Sequence, residues 1–233
     1  LVVQFPYAAN PWLYKNIAYD TQKAFTPVML AGRSPMLLVT HAQSPYRTAA
    51  EFLAAARAKP NVLTYGSSGA GSSNHLAMAL FEDATGTQMR QIPYKGSSPM
   101  LTDLAGGQFD VALDLLPHAM PFMQMNRVRP LVIAAPKRSP LLPDVPTAAE
   151  AGIPGYEVSS WHGFVVPSGT PQSVVDKLNS DLNRMLLEDE VKKAFAAQGV
   201  APDGGTPAYF RSFIDGQMAL WKKVVSNRNI TVD

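Results

Sequence analysis

Patterns typical of strands and of helices alternate along almost the whole chain. Short apolar runs, such as Met36–Thr40, Phe109–Leu115 and Pro130–Ala135, predict buried strands. Amphipathic stretches between them predict helices. Such an order is typical of α/β layers, in which helices cover a sheet rich in parallel strands. The predicted fold class is therefore α/β.

The remaining elements follow from the same patterns and from their flanking residues. Further strands are predicted at Leu1–Phe5, 62–65, Met89–Ile92 and Ser160–Val166, and helices at 48–59, 73–84, from Pro99 to Gly106 and from Thr147 to Gly152. In the last third, helices are predicted from Pro171, up to Gly199 and from Pro207. Their apolar stripes are interpreted as core positions: Val174, Leu178, Leu182, Met185 and Leu186 in the first, and Phe210, Phe213, Ile214, Trp221 and Val225 in the last.

A glycine- and serine-rich loop, residues 66–74, joins the strand ending at Tyr65 to a predicted helix. Glycines permit positive φ and a close approach of a ligand to the backbone. The first turn of a helix presents free N–H groups and the positive end of its dipole. The serine hydroxyls of Ser67, Ser68, Ser72 and Ser73 add neutral donors, so the loop predicts a site for a small anion. An ordinary strand-to-helix turn with a serine N-cap is the alternative.

Three enzyme motifs come close to this loop, and each fails at one residue. Gly66 and Gly71 have the spacing of a nucleotide-binding P-loop, but Ser72 stands where that motif has lysine. Asn74 occupies the third glycine position of a dinucleotide-binding fingerprint. Ala70 replaces the last glycine of a hydrolase nucleophile elbow. None of the three chemistries is supported in full.

The amino-acid composition excludes several classes of binding partner and of chemistry. The 233 residues include 20 Lys and Arg against 18 Asp and Glu, with no basic cluster, which argues against nucleic-acid binding. No apolar run approaches the ~20 residues of a membrane span. The absence of cysteine excludes thiolate chemistry and disulfides. The four histidines lack metal-ligand spacing, so neither a metal nor a cofactor is expected.

Two titratable residues near the loop are candidate ligand contacts. His75 lies in the first turn of the predicted helix and could donate to a ligand or pack against the loop. Asp114 ends a predicted strand at the edge where ligands gather in open α/β sheets. It could accept a hydrogen bond from a ligand hydroxyl or amine, or bond to loop amides.

Two further segments are candidate walls of a site. Tyr94, Lys95 and Gly96, followed by two serines, form a second loop after a strand and could clamp the same ligand. For Lys95 itself, a solvated surface lysine is the preferred interpretation. The aromatic segment Tyr7–Tyr14 joins a strand to a helix and could line a cleft or only fix the first helix.

A hydrolase is the enzymatic alternative. It would use Ser68 as nucleophile, with Asp114 and His162 as triad partners in a known chain order. The imperfect elbow weakens this hypothesis.

The chain resembles the Bug-type substrate-binding receptors of tripartite tricarboxylate transporters. The matching motifs, from Ala8 onward, are Asn-Pro-x-Leu-Tyr at 10–14, the loop through Leu76, Pro-Tyr-Lys-Gly at 93–96, Gly-x-x-Asp at 107–110, Pro-Asp-Val-Pro-Thr at 143–147, Trp-x-Gly at 161–163 and Pro-x-Gly-Thr-Pro at 167–171. No single motif is decisive, but their order and spacing together are specific.

The resemblance implies a two-domain type II periplasmic-binding-protein (Venus-flytrap) fold that closes on a small carboxylate. Domain 1 would comprise residues 1–42 and 163–233, and domain 2 residues 43–162 with the anion loop. Expected ligand-binding residues are Tyr7, Ala9, Asn10, Ser67, Ser68, Gly69, Ala70, Gly71, Ser72, Ser73, His75, Tyr94, Lys95, Gly96, Asp114 and Trp161. No catalytic residue is assigned.

The beginning of the chain departs from the family. Members usually begin with a strand like Leu1–Pro6, followed by a glycine-rich loop and then by a helix, a strand and a further helix–strand pair before the Asn-Pro-x-Leu-Tyr motif. Here Leu1–Pro6 runs directly into Tyr7. Either Leu1–Phe5 is a later strand and roughly the first 60 residues of the family are absent, or two distant segments abut across an omitted stretch. Both alternatives predict an incomplete first domain without that loop.

The functional expectation is a periplasmic receptor without catalytic activity, secreted although no signal peptide is present in this sequence. It would act as a monomer, bind a small carboxylate and deliver it to the membrane subunits of a transporter, without itself entering the membrane. A carboxylate-sensing domain of a signalling system shares the same site and stays open as an alternative.

Overall fold

The computed structural model describes residues 1–232 and contains α-helices and β-strands in alternation. The strands are β1 (Val2–Gln4), β2 (Phe25–His41), β3 (Thr64–Ser67), β4 (Arg90–Pro93), β5 (Val111–Leu115), β6 (Val128–Ile133), β7 (Ser159–Pro167) and β8 (Ala201–Gly204). The helices are α1 (Phe5–Leu13), α2 (Ala49–Ala58), α3 (Ser73–Thr85), α4 (Ser97–Ala105), α5 (Leu116–Gln124), α6 (Gln172–Met185), α7 (Asp189–Ala197) and α8 (Pro207–Arg228). The predicted α/β class is confirmed.

The chain forms two compact units. Unit 1 contains Leu1–Ser34 and the C-terminal part from Ser160, and unit 2 contains Pro35–Ser159. The first crossing between units lies inside β2, eight residues before the expected boundary at residue 42. The strand itself is continuous, but its partners change: Leu30, Gly32 and Arg33 pair with β8, whereas residues 36–41 pair with β5 and β6.

Unit 1 brings the two ends of the described chain together. Strand β1 pairs antiparallel with β7. Helix α1 packs on α8, where the rings of Phe5 and Trp221 lie 4.8 Å apart. Thr206 caps the start of α8 by accepting a hydrogen bond from the Tyr209 N–H. This core therefore depends on residues from both ends of the sequence.

Unit 2 contains the sheet that carries the glycine–serine loop. Strand β3 pairs in parallel with β4 and β5, while β2 pairs antiparallel with β5 and β6. Residues of α4, of β5 and of the connection between them, including Met100, Leu104 and Phe109, form a core against the second half of β2. Because β3, β4 and β5 are parallel, the loops at their carboxyl ends emerge at the same sheet edge.

Three local expectations are corrected. The Tyr7–Tyr14 segment does not link a strand to a helix, because residues up to Leu13 are themselves helix α1. The Thr147–Glu150 capping box forms both of its hydrogen bonds, but Gly152 at φ +81° ends the segment as turns before a helix can form. Val174 and Leu178 of α6 are 45% and 37% exposed, so the buried face of that helix centres on Val175 instead.

Among the described residues, no helix is both long and apolar enough to cross a membrane.

Candidate functional site

The loop between β3 and α3 has a backbone that requires its glycines. Gly69 and Gly71 adopt φ values of +119° and +71°, which residues with a Cβ rarely adopt. Ser72 follows as the N-cap of α3 with extended backbone angles. These two glycines turn the chain so that the first turn of α3 faces the sheet edge.

Ser72 and His75 fix the shape of this turn. The Ser72 hydroxyl donates to the Gly69 carbonyl at 2.7 Å and accepts from the His75 N–H. The Gly71 N–H donates to Nδ1 of His75 at 3.1 Å. Burial lowers the pKa of His75. Burial and the hydrogen bond accepted by Nδ1 both favour the neutral ring. The ring packs against the loop, which was one of the two interpretations of the sequence.

Ser67 and Ser68 use their hydroxyls inside the protein. Ser67 is fully buried, and its Oγ accepts from the Gln91 side chain at 2.7 Å. Ser68 donates to the side-chain oxygen of Asn74. The expectation of four serine hydroxyls available to a ligand is therefore corrected, since those of Ser67, Ser68 and Ser72 already have partners in the protein.

The donors left over lie at the beginning of α3. Within residues 1–232, the N–H groups of Ser73 and Asn74 and the Ser73 hydroxyl make no hydrogen bond to the protein. Ala70 is exposed and Ser73 is half-buried, so solvent reaches this turn. The turn therefore presents neutral donors together with the positive end of the helix dipole.

The second predicted loop lies beside the first. The Tyr94 N–H donates to the Ser67 carbonyl at 2.9 Å, and a Cβ placed on Gly69 would be 3.7 Å from the Tyr94 carbonyl oxygen. Burial and a hydrogen bond with Asp103 raise the pKa of Tyr94 to about 12. Lys95 is exposed, and Gly96 at φ +111° leads into α4. The structure thus joins the backbones of the two loops, while the Tyr94 hydroxyl is turned toward α4.

Asp114 lies at the end of β5 and is 1% exposed. Its Oδ1 accepts from the Leu115 N–H at 2.7 Å and pairs with Nδ1 of His118 at 3.0 Å. This hydrogen bond raises the pKa of His118. The other oxygen, Oδ2, is buried and has no hydrogen-bond partner among the described residues.

The remaining sequence candidates lie in unit 1. The Tyr7 hydroxyl donates to the Thr21 carbonyl, and burial raises its pKa. Ala9 is buried in α1, and Asn10 is half-buried in the same helix. Trp161 is 0% exposed and lies edge-on to the rings of Phe210 and Phe213. Tyr7, Ala9 and Trp161 thus take part in the packing of unit 1, although Nε1 of Trp161 is buried without a hydrogen-bond partner among the described residues.

The hydrogen bonds that the hydrolase hypothesis requires between Ser68, His162 and Asp114 are not formed among the described residues. Ser68 donates to Asn74 instead of to a histidine, and Asp114 pairs with His118 instead of His162. Both side chains thus have partners other than those a catalytic triad requires.

Two residues of this region were missed by sequence reasoning. Asn74 bridges the loop to β5, because its side-chain amide donates to the Leu113 carbonyl at 2.6 Å. Nothing in the local sequence signals that contact. His118, by contrast, follows Asp114 by four residues at the start of α5, a helical spacing that could have indicated the pair.

Comparison with known proteins identifies the family. Residues 1–230 match the model of the tripartite tricarboxylate transporter family receptor. This chain belongs to that family. The resemblance seen in the motifs is confirmed.

Individual family members agree with this assignment. BugT of Bordetella pertussis is 33% identical over 220 residues, which cover 94% of this chain and 68% of BugT. The chain spans 64% of the length of another curated relative, from Pseudomonas.

Solved structures of the receptor family confirm the type II two-domain fold class. Rpa4515 of R. palustris, solved with adipate, has a TM-score of 0.85 and 36% identity, and the match covers 99% of this chain and 78% of that one. MatC of Rhodopseudomonas palustris, solved with malate, has a TM-score of 0.79 and 31% identity, covering 96% and 78% of the two chains.

Proposed function

We propose that this chain is the ligand-binding part of a periplasmic receptor that captures a small carboxylate and delivers it to the membrane subunits of a transporter. The carrying observation is the set of free, neutral donors at the start of α3, from the amides of Ser73 and Asn74 and the Ser73 hydroxyl. Family membership and the adipate and malate bound to two relatives support the choice of ligand.

Neutral donors suit a receptor that must release its ligand. A helix N-terminus stabilises an anion through oriented N–H groups and a partial positive charge. A lysine or arginine in the same place would add a full charge and strengthen the attraction. In the proposed site Lys95 is exposed on the neighbouring loop and is not required for binding.

The proposed partners and localisation follow from the same role. The receptor acts as a monomer in the periplasm and performs no chemical step. With the carboxylate bound, it interacts with the membrane subunits of the transporter. We assign ligand contact to residues 69–75 and to the adjoining backbone of 94–96. Ligand contact by Tyr7, Ala9, Asn10 and Trp161 stays a prediction from the family resemblance.

Thermal unfolding in the presence of carboxylates tests the proposal. A ligand present at 100 times its Kd stabilises the folded state by about 2.7 kcal/mol. A panel of mono-, di- and tricarboxylates, including adipate and malate, is therefore expected to contain members that raise the Tm by several degrees. A panel without any such member would contradict the proposed function.

Substitution of Ser73 by leucine locates the site. The hydroxyl has no hydrogen-bond partner among residues 1–232, so Ser73→Leu should leave folding almost unchanged while its bulk covers the free amides. We expect binding at least about tenfold weaker, equivalent to 1.4 kcal/mol. Ser173→Leu, in the exposed first turn of α6, is the matched control and should bind like the unmodified protein. If Ser73→Leu and the control bind with equal affinity, the carboxylate does not bind at the start of α3.

A further inference from the structure

Asp114 occupies a position where an incompletely bonded carboxylate is costly. It stands in β5, opposite Leu37 of β2, and its side chain is 2% exposed. A buried carboxylate is stable in a protein only when charge partners and hydrogen bonds replace the water it has lost. Each oxygen of the Asp114 carboxylate is therefore expected to have a hydrogen-bond partner.

The two oxygens of Asp114 differ in this count. Oδ1 has two partners, the Leu115 N–H at 2.7 Å and His118 Nδ1 at 3.0 Å. Oδ2 is buried and has none within residues 1–232. Each carboxylate oxygen can accept two hydrogen bonds, and buried polar atoms in folded proteins almost always have at least one. The acceptor at Oδ2 thus calls for a donor that the described chain does not provide.

Asn74 ties the strand that carries Asp114 to the start of α3. Asn74 is the second residue of α3, and its side chain bonds to the Leu113 carbonyl, one residue before Asp114. The same side chain accepts the Ser68 hydroxyl of the loop. The free amides at the start of α3 and the unpartnered carboxylate of Asp114 consequently belong to the same edge of the sheet.

A carboxylate ligand bound at α3 would be repelled by Asp114 unless the ligand also brought a donor. Like charges close together disfavour each other, whereas a donor on the ligand turns the acidic side chain into a favourable contact. His118 pairs with Oδ1 and leaves the buried Oδ2 without a hydrogen bond. The arrangement suits a ligand that carries a hydrogen-bond donor in addition to its carboxylate.

We propose that the Asp114 Oδ2 accepts a hydrogen bond from the ligand, so that the receptor prefers carboxylic acids bearing a hydroxyl or ammonium group next to a carboxylate. The inference rests on the proposed carboxylate-receptor function and adds the class of ligand. Asp114 is a specificity-determining residue in this scheme, and α3 provides the general affinity for the anion.

Matched ligands test the preference on the unmodified chain. Isothermal titration compares unsubstituted acids of three, four and six carbons with their 2-hydroxy and 2-amino derivatives: propanoate, butanedioate and hexanedioate and their respective counterparts. In at least one series the hydroxy or amino acid should bind at least about tenfold more tightly, since a site built around a hydrogen bond rejects the analogue that lacks it.

Asp114→Asn assigns the preference to this residue. The amide can place its NH₂ where Oδ2 now lies, which exchanges an acceptor for a donor and removes the negative charge. We expect the preference to disappear or reverse and the unsubstituted acid to bind more tightly. Asp144→Asn makes the same change at an exposed position of unit 2 and should keep the preference.

Each result has a definite meaning. If unsubstituted acids bind within threefold of their derivatives, the inference is wrong, an ordered water fills Oδ2, and the receptor function stands. If the unmodified chain discriminates but Asp114→Asn keeps the same ratio, another residue is responsible and the inference again fails. If no carboxylate in the panel binds, the proposed function fails and the inference with it. The comparison on the unmodified chain holds even if Asp114→Asn does not fold.

Discussion

Two histidines at the same end of the unit 2 sheet experience opposite surroundings. Burial lowers the pKa of His75, whose Nδ1 already accepts the Gly71 N–H. The Asp114 hydrogen bond raises the pKa of His118, although partial burial acts against it. The neutral form of one ring and the charged form of the other are therefore favoured by the fold.

NMR titration of the two imidazoles checks these directions. We expect the His118 pKa above its ordinary value of 6.5 and the His75 pKa below it. Asp114→Asn should lower the His118 pKa, because the hydrogen bond to the carboxylate is its main cause, and leave His75 unchanged. A His118 pKa that does not respond to the substitution would contradict the pairing.

The same shifts give opposite dependences of stability on pH. The contribution of His118 is complete below 6.5 and is lost as pH rises through its raised pKa. The contribution of His75 is complete above 6.5 and is lost as pH falls through its lowered pKa.

At the residue scale, the sequence predicted where candidate site residues lie in the fold better than it predicted their hydrogen-bond partners. It indicated the loop, His75 and Asp114 from their places relative to strands and helices. It could not show that Ser68 bonds to Asn74, or that Asn74 reaches Leu113, 39 residues along the chain. Such choices depend on which strands become neighbours, and that is decided by the packing of the whole unit.

At the scale of elements, β3 depends on a glycine that local sequence would treat as loop material. A Cβ on Gly66 would lie 2.4 Å from the ring of Phe109 and 2.8 Å from the side chain of Met100. Both neighbours belong to the core of unit 2. The strand can thus approach β5 and α4 closely only where the side chain is absent.

Substitution of two glycines by alanine should have effects of opposite sign. Gly66→Ala overpacks the core and should lower the free energy of unfolding by about 1–3 kcal/mol. Gly216 lies exposed in α8, and a Cβ added there would meet no atom within 4 Å, so Gly216→Ala should raise it by about 0.5–1 kcal/mol. Denaturant titration measures both, and a Gly66→Ala protein as stable as the parent would refute the close packing.

Capping residues and glycines in the sequence indicate helix ends where the end depends only on neighbouring residues. The Thr48–Glu51 capping box begins α2 as expected, and the glycine after α3 ends that helix in the left-handed conformation. The first half of β2 was not predicted, since Pro27, Gly32 and Pro35 interrupt its pattern. Helix α5 was also missed because Pro121 lies inside it.

At the scale of the whole molecule, the two units differ in how the sequence builds them. Unit 2 is one uninterrupted stretch, Pro35–Ser159, and unit 1 needs two. Buried contacts inside unit 2 include its last residues, since the Tyr156 hydroxyl donates to the Ala77 carbonyl at 2.9 Å. The sequence predicted the fold class, but it placed the first crossing at the end of β2 instead of within it.

A fragment of residues 35–159 should therefore fold by itself. It retains the strands paired with the second half of β2 and the core around Met100 and Phe109. We expect a cooperative thermal transition and helical far-UV circular dichroism. The fragment 160–233 lacks β1, α1 and the first half of β2, and should show no such transition. A fragment 35–159 without cooperative unfolding would contradict the independence of unit 2.

The contact between Phe5 and Trp221 has a consequence for the order of events on the ribosome. Helix α1 is translated before unit 2, yet the surface of α8 on which it packs is translated after unit 2. All of unit 2 emerges between the two. Helix α1 must consequently wait, with Phe5 and Leu13 uncovered, until α8 has been made. A premature stop codon before Trp221 would therefore leave α1 without its packing partner, although α1 itself lies more than 200 residues upstream.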